Sequence, residues 1–425
     1  MKFSFAPMNI TIHRGANQIG GCITEIATAQ AKIFIDFGSN LPGSQNADLS
    51  ADEVAKMTSG ADAIFYTHYH GDHVGLHHLV PSHIAQYMGA GAIDVVRCKY
   101  EALNRHQDFN HEMAAIERMI PFKERERIMV NNSIAVTPYF VSHSAFDAYM
   151  FLIECEGKKI LHTGDFRRHG YLGKGLFPTL EKYVGKVDLL ITEGTMLGRQ
   201  QETVITEQHI QQHTVQALRQ HKYVFALCSS TDIDRLASFH AACKATGRVF
   251  LVDGFQHKVL DVFSEYCGKK SPLYNFDHSF ELRGHKAYRI EKISNYLRDK
   301  GFLMPVRMNS SWFIEDMMQV FTDEAPWLIY SMWDGYAEEN GKNTLENVVA
   351  IRRLFGNRIF DGVKKGFHTS GHADIQTLQE VCKTVNPSIG VIPIHKEAQT
   401  NYVTSGFRVF KEGNAKIDGI EIEVH

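Results

Sequence analysis

Three histidines and an aspartate fall within six residues of this chain, directly behind a short apolar run. The run Ala63-Ile64-Phe65-Tyr66 predicts a buried strand, and Gly71 inside the polar segment predicts the start of a loop. A loop at the carboxyl end of a strand can direct several side chains at one point. The segment therefore predicts a fold in which one strand ends at a cluster of metal ligands.

The candidate ligands of this segment are His68, His70, Asp72 and His73. Imidazole nitrogen and carboxylate oxygen together suit zinc, with manganese and iron as the next choices. Four ligands are more than one tetrahedral ion takes from so short a segment. We therefore predict two ions side by side, the first bound by the leading two histidines and the second by the aspartate and the last histidine. The alternative is that the four are ordinary core or surface residues.

Length and composition limit the class of protein. At 425 residues, 44% of them hydrophobic, the chain suits a globular protein with two domains, or with one domain and a large insertion. It has no apolar run of about 18 residues and no apolar leader, so no membrane segment is expected. Seven cysteines without CxxC spacing predict reduced thiols and a cytoplasmic location. The net charge of -3 gives no overall attraction to nucleic acid, which would have to bind at local patches.

Polar residues that suit a metal site follow three further predicted strands. His143 ends one of them and could supply a third imidazole to the first ion. Asp165 follows the strand Lys159-Ile160-Leu161-His162 and could bridge the two ions. Asp36 ends one of three strands predicted between residues 10 and 37. It is explained equally well as a turn residue and as a partner of the ligands.

The pattern of the sequence changes after about residue 200. The apolar runs Tyr223–Leu227 and Arg248–Val252 alternate with the helical segments Thr206–Gln220 and Asp232–Lys244, which predicts a parallel α/β unit. In the first half of the chain, amphipathic spacing predicts a single helix from Tyr100 to Ile120.

A basic stretch lies between residues 270 and 310. Either a solvated helix face or a groove for a phosphate backbone explains it. Its members are Arg283, Lys286, Arg289, Lys292, Arg298, Lys300 and Arg307.

Two loops rich in small polar residues are candidates for anion binding. Each is predicted to join a strand to a helix N-terminus, where backbone amides can donate to an anion. Ordinary helix capping by Ser or Thr is the alternative. The loops consist of Ser229, Ser230 and Thr231, and of His368, Thr369, Ser370, Gly371 and His372.

The motifs together resemble a known family. His68-Tyr69-His70-Gly71-Asp72-His73 is similar to the HxHxDH signature of the metallo-β-lactamase superfamily, and His143, Asp165 and His395 fall where its remaining ligands stand. Glu193, His372 and His395 resemble motifs A, B and C of the β-CASP nucleases. Likeness to the RNase J branch is carried by Gly15-Ala16-Asn17-Gln18-Ile19-Gly20-Gly21, His162-Thr163-Gly164-Asp165-Phe166, His368-Thr369-Ser370-Gly371-His372-Ala373 and Pro393-Ile394-His395.

The resemblance implies an α/β fold, namely a metallo-β-lactamase αββα sandwich with an inserted β-CASP parallel α/β domain. The expected bounds are 1–200 and 351–425 for the two parts of the sandwich and 201–350 for the insertion, with the metals in the cleft between the domains. It also implies two zinc ions per chain, with manganese as an alternative. The implied ligands are His68, His70 and His143 for the first ion, Asp72, His73 and His395 for the second, and Asp165 between them.

The activity implied by the resemblance is that of a zinc-dependent ribonuclease, an RNase J-like 5′-3′ exonuclease, endonuclease or both. Water activated between the metals attacks the phosphodiester bond of single-stranded RNA. In addition to Asp72, the implied catalytic residues are Glu193, which orients a histidine, and His372, which contacts a phosphate oxygen or assists the leaving group. The Ser229–Thr231 and His368–His372 loops would bind an RNA phosphate, including a 5′-monophosphate.

Two departures from RNase J keep other functions open. The chain stops some thirty residues after His395, where RNase J proteins carry a further domain, and residues 331–336 lack the expected Pro-Gly-rich pattern. One alternative is a metallohydrolase that acts on a smaller phosphoester or nucleotide. Another is a non-catalytic nucleic-acid-binding subunit, against which the complete ligand set argues. The oligomeric state stays open, with a homodimer among the possibilities.

Overall fold

The computed structural model describes residues 8–41, 44, 46–199, 204–284, 286–339, 341, 343–402 and 406–425. The chain divides into two compact units. Unit 1 comprises Met1–Arg168, Leu172–Gln201 and Gly371–His425, and unit 2 comprises His169–Tyr171 and Glu202–Ser370. Apart from three residues, unit 2 is thus one continuous insertion in unit 1. It extends past residue 350, where the sequence analysis placed the end of the inserted domain.

The first sheet of unit 1 begins with the three strands predicted near the N-terminus, which pair in antiparallel fashion as a meander. Alternate residues of the first strand, Met8, Ile10 and Ile12, are buried, as the period of two requires. The remaining three strands join in parallel. The six strands are β1 (Met8–Arg14), β2 (Ile23–Ala27), β3 (Lys32–Ile35), β4 (Ala63–Phe65), β5 (Ala85–Gly89) and β6 (Ile120–Phe122).

The second sheet of unit 1 is built mainly from residues 128–193. A hairpin turns at Glu156-Gly157, where the strands on either side pair in antiparallel register. The last strand of this group pairs in parallel with the one before it. The five strands are β7 (Ile128–Val130), β8 (Ile134–Val141), β9 (Ala148–Cys155), β10 (Lys158–His162) and β11 (Leu189–Glu193).

The predicted helix from Tyr100 to Ile120 is wrong, because the chain forms two helices there and then enters β6. Asn104 ends the first helix, and its side chain accepts a hydrogen bond from the backbone nitrogen of Phe109 at 2.7 Å. Such a side-chain bond competes with the helical ladder. The helices of this part of the chain are α1 (Ala51–Met57), α2 (Gly71–Val74), α3 (Ala90–Leu103), α4 (Asn110–Ile116) and α5 (Leu176–Thr179).

Unit 2 contains a six-stranded sheet in which every pairing is parallel. The strands and helices predicted between residues 206 and 252 are confirmed. In spatial order the sheet runs β14-β13-β15-β12-β16-β17. Its strands are β12 (Tyr223–Leu227), β13 (Val249–Val252), β14 (Ser279–Glu281), β15 (Phe302–Val306), β16 (Trp327–Tyr330) and β17 (Ile359–Phe360).

Within its described residues, unit 2 contains seven α-helices. Helix α11 and strand β17 share the apolar core of the sheet through Ile351, Phe355 and Ile359, which explains why the unit continues beyond residue 350. The helices are α6 (Glu207–Gln220), α7 (Ile233–Thr246), α8 (Gly254–Phe263), α9 (Glu291–Lys300), α10 (Ser311–Met318), α11 (Glu346–Phe355) and α12 (Gly362–Lys365).

The last part of the chain returns to unit 1 and completes both of its sheets. Helix α13 (Ile375–Val385) leads to β18 (Gly390–Ile394), which pairs in parallel with β11 at the edge of the second sheet. The hairpin of β19 (Gly413–Ile417) and β20 (Ile420–Val424) extends the first sheet, with β20 parallel to β1. The first sheet thus has eight strands and the second has six among the described residues.

The core of unit 1 lies between its two sheets. Ile10 and Ile33 of the first sheet share one apolar cluster with Phe151 and Ile191 of the second. On the other face of the second sheet, α13 buries its apolar side against β10 and β11. Helix α3 packs against β5 and β6 of the first sheet. Unit 1 is therefore a mixed α/β structure with two packed sheets, consistent with an α/β sandwich.

No helix within the described residues is both long enough and apolar enough to cross a membrane.

Candidate metal centre

The four ligand candidates between residues 68 and 73 lie where β4 ends and α2 begins. The loop predicted to start at Gly71 is instead a single helical turn, with His70 at its N-cap. The turn forms because the carbonyl of His70 accepts from the backbone nitrogens of His73 and Val74 at 2.9 and 3.0 Å. Gly38 fits against this turn so closely that a Cβ at residue 38 would overlap the carbonyl of Asp72.

Three histidines gather at one side of the centre. The ligand atoms of His68, His70 and His143 all lie within 4.8 Å of one another, and His70 Nδ1 is 3.2 Å from His143 Nε2. The Nδ1 atom of His143 donates to the carbonyl of Gly371 at 2.6 Å, which leaves its Nε2 atom as a ligand. The Nδ1 atom of His68 lies 3.0 Å from the hydroxyl of Thr67.

Asp72, His73 and His395 gather at the other side. His395 Nε2 is 3.0 Å from Asp72 Oδ2, and His73 Nε2 is 4.0 Å from the same oxygen. His395 follows β18 and has a positive φ of 51°, a backbone conformation that non-glycine residues rarely adopt. Such a conformation at a strand end suggests that the direction of the imidazole is under functional constraint.

Asp165 lies between the two groups. Its Oδ2 atom is 4.0 Å from Nε2 of both His68 and His143, 3.1 Å from Nε2 of His73 and 3.7 Å from Nε2 of His395. A single oxygen is thus near ligand atoms of both groups. The geometry is that expected for a carboxylate that bridges two ions.

Burial sets the protonation of these side chains. It lowers the pKa of His68 and His143 well below the ordinary value and that of His70 to about 4, so these imidazoles are neutral near pH 7. Burial opposes ionisation of Asp72 and Asp165, but the neighbouring histidines outweigh it and hold the pKa of both carboxyls below the ordinary value. Neutral imidazole and ionised carboxylate are the forms that bind metal ions.

The donor set fits divalent ions such as zinc. Two nitrogens that bind zinc at about 2.0–2.1 Å with tetrahedral geometry lie roughly 3.4 Å apart, close to the 3.2 Å between His70 Nδ1 and His143 Nε2. The Nε2 atom of His68 is fully buried and has no hydrogen-bond partner among the residues the structure describes. Buried polar atoms are rarely left unpaired, and a metal ion would satisfy this one.

Glu193 and His372, predicted from the resemblance to act in catalysis, contact each other beside the ligands. Glu193 ends β11, is fully buried and lies 3.0 Å from His372 Nδ1 through Oε2. Its Oε1 atom accepts from the backbone nitrogens of Phe166 and Ala373, each at 3.1 Å. Glu193 therefore anchors His372 and the backbone next to Asp165.

Asp36 partners a ligand. Its Oδ2 atom lies 2.8 Å from His73 Nδ1, and the carboxylate also accepts from the backbone nitrogen of Thr67 at 2.7 Å. The sequence left two interpretations of Asp36 open, a turn residue or a partner of the ligands. The structure shows the contact expected for a partner of the ligands. The residue also has a positive φ of 61°.

The sequence analysis missed Thr195 and Cys22. The hydroxyl of Thr195 lies 2.6 Å from His395 Nδ1 and 3.2 Å from His372 Nδ1. The buried thiol of Cys22 lies within 4.8 Å of ligand atoms of His73 and His395. Both residues are distant in sequence from the histidines that they contact. The only sequence signals near them were the glycine-rich segment before Cys22 and the polar end of β11 before Thr195.

Thr195→Val is expected to weaken the binding of the second ion by about ten- to a hundredfold, since the hydroxyl fixes the tautomer and direction of His395. Thr195→Ser should restore the affinity to within about threefold. Zinc titration against a chelator measures both effects. Thr58→Val, which removes a buried hydroxyl bonded to the Val54 carbonyl, is the matched control. Unchanged zinc affinity in Thr195→Val would show that the hydroxyl only packs there.

The predicted phosphate-binding residues are divided between the two units. Ser229, Ser230 and Thr231 follow β12 in unit 2, and the carbonyl of Ser230 accepts from Gln256 at 2.9 Å. His368, Thr369 and Ser370 end unit 2, where Arg235 donates to the carbonyl of Thr369 at 3.3 Å. Gly371 and His372 belong to unit 1.

The sequence analysis predicted that these loops either bind an anion at a helix N-terminus or cap the helix with a Ser or a Thr. The observed helix caps agree with neither prediction. Asp232 caps α7 and Asp374 caps α13, each through its carboxylate, so neither cap is a Ser or a Thr. The second loop also follows the short helix α12 rather than a strand. A carboxylate at a helix N-terminus already occupies an amide donor and repels a second anion. Anion binding at either loop would therefore depend on side chains more than on the helix ends.

The chain is similar to known proteins in sequence over part of its length and in fold over most of it. Residues 33–226 match the sequence model of a family described as a "Beta-lactamase superfamily domain", and this segment contains every ligand candidate except His395. The structure is also similar to the crystal structure of a protein of unknown function from Enterococcus faecalis V583. That likeness covers 95% of this chain and 97% of the other, with a TM-score of 0.69 and 19% sequence identity.

A match to a beta-lactamase superfamily domain over residues 33–226 thus coincides with a cluster of histidines and carboxylates that could hold metal ions. Together they indicate a metallohydrolase.

Proposed function

We propose that this chain is a two-metal ribonuclease of the β-CASP type, similar to RNase J, that hydrolyses phosphodiester bonds of single-stranded RNA. The observation that carries the proposal is the position of Asp165 between two groups of three ligands, next to the Glu193–His372 pair. The insertion of a parallel α/β unit between residues 201 and 371 supports the β-CASP assignment.

The residues of the site have separate roles in this reaction. Two bound zinc or manganese ions would activate water and offset the charge that develops on the phosphoryl oxygens. His68, His70 and His143 would hold one ion, and Asp72, His73 and His395 the other. Asp36 and Thr195 direct two of these imidazoles through their Nδ1 atoms. His372, held by Glu193 at Nδ1, can present Nε2 to a non-bridging oxygen or to the leaving group.

The decisive experiment uses linear RNA that carries a 5′-monophosphate or a 5′-triphosphate, together with a circular RNA. The purified protein is loaded with zinc or manganese, and the product lengths are read over time. An exonuclease releases mononucleotides from the monophosphate substrate, whereas an endonuclease cuts the circle. If no RNA is cleaved while a small phosphodiester such as bis(p-nitrophenyl) phosphate is hydrolysed, the proposal of an RNA substrate fails and a metallohydrolase of smaller substrates replaces it.

One observation favours that second candidate. Several residues of the basic stretch of unit 2 are engaged by acidic partners. Arg289 contacts Asp316 at 2.6 Å and Arg307 contacts Asp253 at 2.5 Å. Paired cations attract a phosphate backbone less than free ones, and these contacts agree with the interpretation of the stretch as a solvated surface.

Ser370→Ala is expected to slow the cleavage of 5′-monophosphate RNA by about ten- to a hundredfold, because one charge-assisted hydrogen bond to a phosphate is lost. The loss should spare the circular substrate if the loop binds a 5′ end. His169 contacts the carbonyl of Ser370 at 2.6 Å, and this contact does not use the hydroxyl, so the loop should keep its shape. Equal losses on linear and circular RNA would mean that the loop holds an internal phosphate.

A further inference from the structure

A cavity of about 200 Å³ opens in unit 1 beside the loop that follows β18. It is lined on its polar side by Asn17, Lys396, Asn401 and Lys411, and on its apolar side by Val409 and Phe410. With about 30 Å³ for each water in the liquid, the space corresponds to roughly seven waters. It is therefore large enough for a tetrahedral anion and part of the group attached to it.

Two ammonium groups of this cavity have no acidic partner. The Nζ atom of Lys396 donates to the carbonyl of Glu397 at 3.2 Å, and that of Lys411 donates to Asn401 Oδ1 at 3.4 Å. Throughout the described part of the chain, no carboxylate lies within 4.0 Å of either nitrogen. The Lys396 side chain is buried, and that of Lys411 is exposed. Glu412 also lines the cavity, but its carboxylate accepts from Asn17 Nδ2 at 3.2 Å.

Lys396 is only 8% exposed, so its ammonium group has little access to bulk water. An anion in the cavity would neutralise the charges of the two lysines and accept hydrogen bonds from them.

Lys396 directly follows His395 in the chain, and Pro393 of β18 lines the cavity together with Ala16. The described lining residues include none of the candidate metal ligands. A phosphate of a phosphodiester chain and a free phosphorylated molecule would both meet the requirements of size and charge.

We propose that this cavity is a phosphate-binding subsite built on Lys396 and Lys411, separate from the metal ligands. The ligand is a phosphate group with its attached residue, either part of the substrate chain or a free phosphorylated compound. Only the first of these sources depends on the proposed ribonuclease function.

Labelling with pyridoxal 5′-phosphate tests the subsite in the metal-loaded protein. A lysine amine condenses with the aldehyde with loss of water, and borohydride reduces the imine to a stable amine that peptide mass spectrometry locates. Lys396 or Lys411 is expected to be labelled at least about tenfold faster by pyridoxal 5′-phosphate than by pyridoxal, which lacks the phosphate. Inorganic phosphate should protect both lysines. Equal labelling by the two reagents, or no protection, overturns the proposal.

Variants and a competitor sharpen the result. Lys411→Gln should reduce the labelling of Lys396 by at least about fivefold, whereas Lys416→Gln, which replaces an exposed lysine paired with Glu421, should leave it unchanged. Equal effects of the two variants contradict the subsite. Protection by a phosphorothioate oligonucleotide that resists cleavage assigns the site to the substrate chain. Protection by phosphate alone assigns it to a free phosphorylated ligand. Neither readout requires RNA cleavage, so failure of the ribonuclease proposal would be seen separately.

Discussion

Asp165→Ala is expected to deplete both metal ions and to lower the rate of phosphodiester hydrolysis at least about a thousandfold. The reason is geometric, since Oδ2 of this residue approaches His143 Nε2 at 4.0 Å on one side and His73 Nε2 at 3.1 Å on the other. Loss of any single imidazole affects one group of ligands, whereas loss of this carboxylate removes a ligand and a compensating negative charge from both. Metal analysis after zinc loading and a rate measurement on RNA or a small phosphodiester provide the test.

Two variants serve as comparisons for this result. His143→Ala should retain one ion per chain, because the second group of ligands is untouched. Asp188→Ala removes a carboxylate at the opposite end of β11, where it accepts from the backbone nitrogen of Lys159 at 2.9 Å, and should leave two ions and the full rate. An Asp165→Ala protein that holds two ions and works within tenfold of the wild-type rate would place the chemistry elsewhere.

Asp36→Ala is expected to cost about 3–5 kcal/mol of unfolding free energy and to weaken the second metal site by ten- to a hundredfold. The side chain is completely buried and accepts hydrogen bonds from Thr67 N and Oγ1, so that alanine would leave these donors and His73 Nδ1 without an acceptor. Denaturant unfolding and zinc titration measure the two effects.

Asp36→Asn separates the stability effect from the metal effect. Asparagine tolerates a positive φ and can still accept from Thr67, so most of the stability should be kept. Its amide group faces His73 Nδ1 less favourably than a carboxylate, and the zinc affinity should therefore fall. Asp62→Asn, which alters an acceptor for the backbone nitrogen of Lys32, is the control. Wild-type zinc affinity in Asp36→Asn would show that Asp36 only shapes the local backbone and does not support the metal site.

The sequence predicted the candidate ligands more completely than the residues that contact them. His68, His70, Asp72 and His73 lie within six residues, and His143 and Asp165 follow apolar strands, so residue type and position selected these six. His395 was selected through the resemblance to a known family. The structure brings all seven together. The partners that direct the imidazoles are less visible, because a threonine or an aspartate after a strand is common and its role depends on contacts across the sheet. Thr195 and His395, for example, are 200 residues apart.

Local side-chain interactions explain the other differences between the sequence predictions and the structure. Apolar spacing suggested one helix from Tyr100 to Ile120, but it carried no information about the Asn104 side chain that replaces a helical hydrogen bond at Phe109. At the loop near Ser229, the helix cap is the next residue, Asp232, whose carboxylate changes the electrostatics of the helix end. The strand and helix order of unit 2 was predicted more reliably, because buried parallel strands are continuous apolar runs.

The parallel pairing of β18 with β11 has a consequence for how the protein folds during translation. Asp72 and His395, whose side chains meet at 3.0 Å, are separated by 323 residues, and the whole of the inserted unit is translated between β11 and β18. The growing chain therefore has an unpaired edge at β11, and an incomplete second metal site, until β18 has left the ribosome. Such late closure favours slow assembly and exposes that edge to wrong partners. Zinc supplied during synthesis would meet the three histidines of the first group long before the second group is complete.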